Sequence, residues 1–152
     1  MFQFLTKFWS QTLLPMLSRP PRLQVAALCF RETEAGREVL LITSRDTGRW
    51  VLPKGWPMAG KTSAESAAEE AWEEAGVRRG RFEDQPIGRY VYDKRLDSGA
   101  TEPLETLVYA LEVEDLRDEF PEMHQRQRNW VTPSEAAVLV DEPQLRDLLS
   151  RF

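Results

Sequence analysis

The chain has 152 residues, a length that suits one domain, and 41% of them are hydrophobic, which is enough for a buried core. Its formal net charge of -5 argues against a general nucleic-acid coat and a polybasic membrane binder, although local arginines can still bind a phosphate compound. The one cysteine, Cys29, excludes a disulfide within the chain and is expected to be a small buried hydrophobe. The one histidine, His124, argues against a zinc site built from histidines and cysteines. We therefore expect no nucleic-acid partner.

Residues 1–21 are predicted to form an amphipathic helix and a proline-rich linker ahead of a domain at residues 22–152. Polar residues interrupt the apolar ones, so no run is long enough to span a bilayer, and the basic start and cleavage site of a signal peptide are missing. We expect a cytoplasmic protein without stable membrane insertion. The helix is expected to pack on the domain or on a second subunit, as in a homodimer, with contact to a membrane surface as the minority alternative. Its large apolar residues are Phe2, Phe4, Leu5, Phe8, Trp9, Leu13, Leu14 and Leu17.

Alternating strand and helix patterns predict an α+β fold, a mixed sheet with helices packed on it. The first two strands are expected to form a hairpin, and the loop at residues 53–61 is rich in glycine and proline. Strands are expected at residues 23–31, 38–44, 50–52, 87–94, 106–113 and 129–131. Helices are expected at residues 63–75, 133–140 and 143–149. Thr62 or Ser63 is expected to cap the first helix, and Gly76 is expected to end it.

The first helix carries a cluster of glutamates that indicates metal chemistry. Glu70, Glu73 and Glu74 stand at i, i+3 and i+4, so they share one face, where their mutual repulsion destabilises a bare helix. A divalent cation would reverse that penalty, and hard oxygen ligands favour magnesium, manganese or calcium over zinc. Gly55 in the preceding loop allows the backbone to approach the same point and offer a carbonyl. Such a site suits metal-assisted attack of water on phosphate, whereas a solvated acidic surface is the alternative for the three glutamates alone.

The whole segment from Gly55 to Val77 resembles the signature of the Nudix hydrolases, and residues 50–55 resemble the lead-in strand and loop of that family. The matching positions are Gly55, Glu70, Ala71, Glu73, Glu74, Gly76 and Val77. The resemblance covers roughly residues 22–150 and implies a Nudix-type α/β/α sandwich that hydrolyses a diphosphate linkage. It also implies Glu70 and Glu74 as Mg²⁺ ligands (with Mn²⁺ as the alternative), Glu73 as base or further ligand, and the carbonyl of Lys54 or Gly55 as another ligand. Glu70, Glu73 and Glu74 are therefore the expected catalytic residues.

Two positions depart from this signature. Lys61 replaces a glutamate and Glu69 replaces an arginine, which suggests a charge-swapped pair that supports the same loop–helix geometry. The departures also favour the alternative of a non-catalytic Nudix-fold protein that binds a phosphate ligand or regulates another process. An unrelated α+β domain with a chance acidic helix is a third alternative, and the seven matched positions argue against it.

Within the family, the chain is most similar to the diphosphoinositol polyphosphate and diadenosine polyphosphate hydrolases, through residues 27–31, 39–42, 44–45, 49–50 and 126–130. This similarity predicts a small phosphorylated substrate bound by Arg22, Ser44, Arg45, Arg126 and Arg128, with Lys94 and Arg95 as weaker candidates. Three aromatic residues are candidates to stack on a base, although core packing or surface cover is favoured for them: Trp56, Tyr90 and Tyr92. Four acidic residues are further candidates for a ligand or base: Glu102, Glu105, Glu119 and Glu122.

Overall fold

The computed structural model describes residues 22–152, and the helix expected in residues 1–21 lies outside them, so the structure gives it no support. The strands are β1 (Arg22–Thr33), β2 (Gly36–Thr43), β3 (Trp50–Val51), β4 (Lys54–Gly55), β5 (Val77–Phe82), β6 (Gly88–Arg95), β7 (Thr101–Leu116) and β8 (Arg128–Val131). The helices are α1 (Ser63–Ala75), α2 (Pro133–Leu139) and α3 (Pro143–Ser150). In this part of the chain, no helix is long and apolar enough to cross a membrane.

The strands form one mixed sheet, as the sequence predicts. Its main path is β3-β2-β1-β7-β5, while β4 pairs with β1, β6 with β7 and β8 with β2. The β1–β7 pair is parallel, with Arg22 opposite Leu104 and Phe30 opposite Glu112, and the other pairs are antiparallel. Two strands that are distant in sequence therefore lie side by side at the centre of the fold.

The helices cover opposite faces of this sheet, because successive strand residues point to alternate sides. On one face, alanines of α1 pack on Val25, Ala27 and Cys29 of β1. On the other face, residues of α2 and α3 pack on Ala26 and Leu28. Small side chains let α1 lie close to the sheet, and the ones it buries there are Ala64, Ala67, Ala71 and Ala75. Cys29 is fully buried as expected, and this burial raises the pKa of its thiol to about 12.

The structure differs from the sequence-based expectations in three elements. β5 has no predicted counterpart, because its exposed arginines hide the strand pattern in an edge strand that pairs only with β7. β7 begins at Thr101, inside the expected connection, because its hairpin with β6 extends as far as Arg95 opposite Thr101. Part of the expected loop forms β4, in which Lys54 and Gly55 pair with Ala26 and Val25.

Candidate active site

Both ends of α1 are fixed by local hydrogen bonds. At its start, Thr62 and Glu65 form a capping box, in which each side chain accepts a hydrogen bond from the backbone of the other residue. At its end, Gly76 adopts a left-handed conformation, with φ of 79°, and donates its N–H to Trp72 O. The predicted boundaries of this helix are confirmed, and they set the rotation of its acidic face.

A loop ahead of β8 folds back onto the C-terminal end of α1. The Glu122 N–H donates to Glu73 O at 3.0 Å, and the Arg117 N–H donates to Gly76 O at 2.8 Å. Arg128 strengthens this junction, because its guanidinium donates to the carbonyls of Ala75 and Arg117 at 3.1 and 2.8 Å. Of the four extra acidic candidates, the structure brings Glu122 to the carboxylate helix.

Glu74 is the most buried of the three helix glutamates, at 7% exposure. Its Oε2 accepts the Lys54 N–H at 3.1 Å, and its Oε1 accepts from Arg126 Nη2 at 3.0 Å. Burial raises the pKa of Glu74, and the Arg126 guanidinium opposes that shift. The side chain is thus tied to the loop that contains Gly55, as a metal site shared between loop and helix requires.

Glu70 lies directly against Gly55. A Cβ at position 55 would overlap the Glu70 carboxylate where it now lies, so a larger residue there would require the carboxylate to move. Within residues 22–152, the Glu70 side chain has no hydrogen-bond or ion-pair partner under 4 Å, although it is half-buried. Burial raises the pKa of Glu70 to about 8, and the negative charges of Glu74, Glu73 and Glu122 add to the shift. When Glu70 is ionised, it therefore adds a negative charge that the neighbouring described side chains do not balance.

Glu73 is partly exposed between these residues, and its side chain likewise has no described hydrogen-bond partner. The geometry brings Glu70, Glu73 and Glu74 to one end of α1, as the helical spacing predicts. In the described part of the chain, however, no three acidic, histidine or cysteine side chains converge closely enough to hold a metal ion. The chemistry of the group fits a hard divalent cation, but its side chains would have to turn toward one another to bind it.

Arg126 is buried inside the carboxylate cluster, with 6% of its side chain exposed. Its Nη2 donates to both Glu74 Oε1 and Glu122 Oε1 at 3.0 Å, and its Nη1 donates to Thr43 O at 3.0 Å. The sequence predicts substrate contacts for Arg126 and Arg128, whereas the structure directs both guanidinium groups at protein atoms. Arg128 also pairs with Asp118 at 2.8 Å. Both residues join the end of α1 to the β8 side of the sheet.

Two further candidates lie in or beside the loop after β2. The Ser44 hydroxyl is 2.8 Å from the Thr47 hydroxyl, and the Gly48 N–H donates to Ser44 O, so Ser44 closes a tight turn. Arg45 is 58% exposed and lies 3.5 Å from the Glu122 carboxylate. The structure therefore places Arg45 at the rim of the carboxylate cluster with part of its guanidinium open to solvent.

A basic and aromatic surface lies beside Gly55, and we call it the basic–aromatic surface: Arg22, Lys54, Trp56, Tyr92 and Lys94. The Arg22 guanidinium lies 4.2 Å from the Trp56 ring centre, and Lys94 Nζ lies 5.5 Å from it. Lys54 Nζ lies 5.1 Å from the Tyr92 ring, and the Tyr92 hydroxyl donates to Gln24. Tyr90, in contrast, is 1% exposed and belongs to the core, which confirms the core-packing alternative for that residue.

The Lys54 side chain is a feature that the sequence reasoning did not identify. Burial lowers the pKa of its amine, while the negative charge of Glu74 opposes that shift. Glu142, which is 7% exposed, also acts on this amine and binds the Arg49 guanidinium. In the sequence, only the position of Lys54 next to Gly55 could have indicated that its amine lies beside the carboxylate of Glu74.

The two signature departures lie in contact. Lys61 Nζ is 3.3 Å from Glu69 Oε2, with 41% and 35% of the side chains exposed. The structure therefore contains the ion pair that the charge-swap hypothesis requires. This contact weakens the case for a non-catalytic protein, because the departures no longer imply a lost interaction.

The sequence of residues 21–152 matches the family model of the NUDIX domain. The chain belongs to the NUDIX family. This NUDIX chain is 31% identical over 118 residues to Nudix hydrolase 12, mitochondrial, of Arabidopsis thaliana. That alignment covers 76% of this chain and 58% of the relative, so the chain spans little more than half of its length.

Solved structures share the fold of this NUDIX domain. The C. elegans Ap4A hydrolase has a TM-score of 0.62 and 18% identity, over 88% of this chain and 96% of its own. The E. coli dihydroneopterin triphosphate pyrophosphohydrolase has a TM-score of 0.65 and 17% identity, over 86% of this chain and 93% of its own. At such identities the likeness concerns the fold. The expected cytoplasmic location stays a prediction, because the relative named above is mitochondrial by name.

Proposed function

We propose that this NUDIX chain hydrolyses a diphosphate linkage in a small phosphorylated compound at the end of α1. The observation that carries this proposal is the Glu70 carboxyl group, which lies against Gly55 with no donor or cation from residues 22–152 beside it and with its pKa raised to about 8. An unbalanced, partly buried carboxylate is costly unless a ligand offsets its charge. The named relative, a Nudix hydrolase, supports the same conclusion.

Mg²⁺ is the proposed cofactor, with Mn²⁺ as the alternative, because glutamate oxygens are hard ligands. Glu70 and Glu74 would hold the ion, with Glu73 and the Gly55 carbonyl as further ligands. When bound, the ion would offset negative charge on the phosphates and make the phosphorus easier to attack.

Side chains of the protein are proposed to act as the base and as the group that positions the carboxylates. Glu73, which is partly exposed and has no described partner, is the proposed base that accepts a proton from the attacking water. Glu122 is the second candidate, because its backbone bond to Glu73 O places it beside the cluster. Arg126 is proposed as a positioning residue, since it fixes Glu74 and Glu122 through the same nitrogen. This assignment revises the substrate-binding role that the sequence suggests for Arg126.

The substrate is proposed to lie on the basic–aromatic surface. Arg22 and Lys94 are exposed beside the Trp56 ring, and Trp56 follows Gly55 directly, so phosphates bound there would reach the Glu70 carboxylate. Arginine and lysine suit phosphate groups, while an aromatic ring suits a nucleobase. The proposed substrates are thus dinucleoside polyphosphates or diphosphoinositol polyphosphates, and the Trp56 ring favours the first class. The likeness in fold to an Ap4A hydrolase is compatible with this preference.

The test is turnover of a panel of diphosphate compounds in the presence of Mg²⁺. The panel contains dinucleoside polyphosphates, diphosphoinositol polyphosphates, nucleotide sugars and nucleoside triphosphates. Glu70→Gln and Glu74→Gln are the site variants, and Glu34→Gln, in the exposed turn between β1 and β2, is the matched control. We expect one compound class to be hydrolysed by the wild type and the control but not by the site variants. Metal-dependent binding of a compound without any turnover would instead support the non-catalytic alternative.

A further inference from the structure

One end of the central parallel strand pair is uncovered on the α1 side. Parallel strands usually have both faces covered, because their backbone pairing occurs inside a protein. Residues that lie side by side on neighbouring strands form a row across the sheet. Helix α1 packs over the row that contains Val25 and over the rows that follow it along β1 and β7, and it also contacts β4 and β5. The row before it consists of Leu23, Glu105 and Val91, which are neighbours across β1, β7 and β6. This row lies beyond the reach of α1.

Three apolar side chains of this region form one surface, which we call the open face: Leu23, Val91 and Leu107. Leu23 is 40% exposed and Val91 is 39% exposed, while Leu107 is partly buried. Strand alternation puts Arg89 and Val91 on the same side of β6, opposite Leu107 and Glu105 of β7. Arg89 and Glu105 cross this face as an ion pair at 2.6 Å. The open face is therefore an apolar surface interrupted by one pair of charges.

We propose that residues 2–17 of this same chain cover the open face. The chain enters β1 at Arg22, one residue before Leu23, so the preceding segment begins beside this surface. Residues 18–21 reach at most about 13 Å, and the three strands of the row span roughly 10 Å, so the apolar residues upstream can lie across it. Eight large apolar side chains in that segment need cover from water, as the open face does.

The charges of the two partners are also compatible. Residues 1–21 contain Lys7 and Arg19 and no acidic residue. The open face carries Glu105 and, at its border, Asp93, with Arg89 as the opposing charge. With Arg95, which lies on the same side of β6, the surface is close to neutral and does not repel the cations at positions 7 and 19. Contact within one chain also costs less entropy than recruitment of a second molecule, because the segment is already held close.

Trypsin cleavage after Lys7 in the full-length chain tests this contact. Val91→Asp places a charge on the open face, and Val138→Asp makes the same change on α2, at a side chain that is 78% exposed. We expect cleavage after Lys7 to be at least tenfold faster in Val91→Asp than in the wild type, and unchanged in Val138→Asp. Leu23→Ser is a second, milder variant that should also accelerate cleavage. Thermal unfolding curves establish that each variant is folded.

Three results would overturn the proposal. In the first, Lys7 is cleaved as rapidly in the wild type as in Val91→Asp. In the second, light scattering gives twice the chain mass of 17.6 kDa at the concentration of the assay, and protection is lost on dilution to the monomer, which would assign the open face to a second copy. In the third, protection requires added phospholipid vesicles, which would assign the segment to a lipid surface. A monomer with protected Lys7 supports it.

Discussion

The Glu70 carboxylate lies against the Cα of Gly55, with no room between them for a side chain. This contact joins the acidic face of α1 to the short strand β4, and it leaves the carboxylate facing the loop rather than open solvent. The loop and the helix therefore form one structural unit, and a substitution of either residue should change the position of the other.

Gly55→Ala is expected to lower the free energy of unfolding by about 0.5–1.5 kcal/mol, because the added methyl group forces the Glu70 side chain out of its present rotamer. The matched background is Glu70→Ala, which removes the carboxylate that the methyl group meets. In that background the penalty of Gly55→Ala should fall by at least half. Urea unfolding of the four proteins measures both values, and an equal penalty in the two backgrounds would contradict the contact.

The pH dependence of stability without divalent ions should report Glu70. The pKa of this carboxyl rises from 4.5 to about 8 in the folded state, so between those values the folded chain binds more protons than the unfolded chain. The stabilising contribution of its protonated form is present in full below pH 4.5 and is lost as the pH rises through about 8. Urea unfolding in a chelating buffer should therefore show stability declining across this window.

Glu70→Gln should flatten that decline, because its amide does not titrate. Added Mg²⁺ should also oppose the decline, since the ion binds the ionised carboxylate and displaces the proton. The same slope in wild type and Glu70→Gln would show that another group is responsible. Glu34→Gln is the matched control, because it makes the same change at an exposed glutamate that lies outside the cluster.

Arg126→Met should destabilise the chain by about 3–5 kcal/mol in the absence of metal, because it leaves the buried Glu74 and its neighbour Glu122 without their shared cation. Saturating Mg²⁺ should recover part of this loss by supplying positive charge to the same carboxylates. Arg45→Met is the matched control, since Arg45 is 58% exposed and its pair with Glu122 is worth about 0–1 kcal/mol. Melting temperatures with and without Mg²⁺ measure the effect. Equal losses in the two variants would show that burial of Arg126 has no special role.

Lys61→Glu and Glu69→Arg each place like charges together in the contact between the loop and α1. Because the pair is partly exposed, each single change should cost no more than about 1 kcal/mol of stability. Each is expected to reduce turnover by misplacing the loop, and the double variant should recover activity because it restores opposite charges. If the double variant is no more active than either single variant, the charge-swap hypothesis fails.

Arg22→Ala and Lys94→Ala test the basic–aromatic surface. Both should raise KM more than they lower kcat, because the side chains are proposed to bind the substrate in the ground state and the transition state alike. Arg81→Ala is the control, because Arg81 is an exposed arginine on the edge strand β5 and pairs with the carboxylate of Glu112. A change confined to kcat, or an equal effect in the control, would show that the surface does not bind the substrate.

The sequence predicts well what depends on local spacing. The bounds of α1 follow from the capping box and Gly76, and the shared face of Glu70, Glu73 and Glu74 follows from helical geometry. The roles of Arg126 and Glu122 depend instead on how a distant loop folds back on α1, which no local pattern shows. Arg126 has the charge expected of a phosphate ligand, and only its burial between two carboxylates separates the positioning role from that interpretation.

The parallel pairing of β1 and β7 also bears on the order in which this protein folds. Arg22 and Leu104 are neighbours in the sheet but are separated by more than half of the chain. The β1–β2 and β6–β7 hairpins involve close residues and can form early, whereas the central pair must wait for a long loop to close. During synthesis, β1 is therefore complete well before β7 leaves the ribosome. Until then its inner edge lies open, which makes β1 the segment of the nascent chain most in need of protection from pairing with other chains.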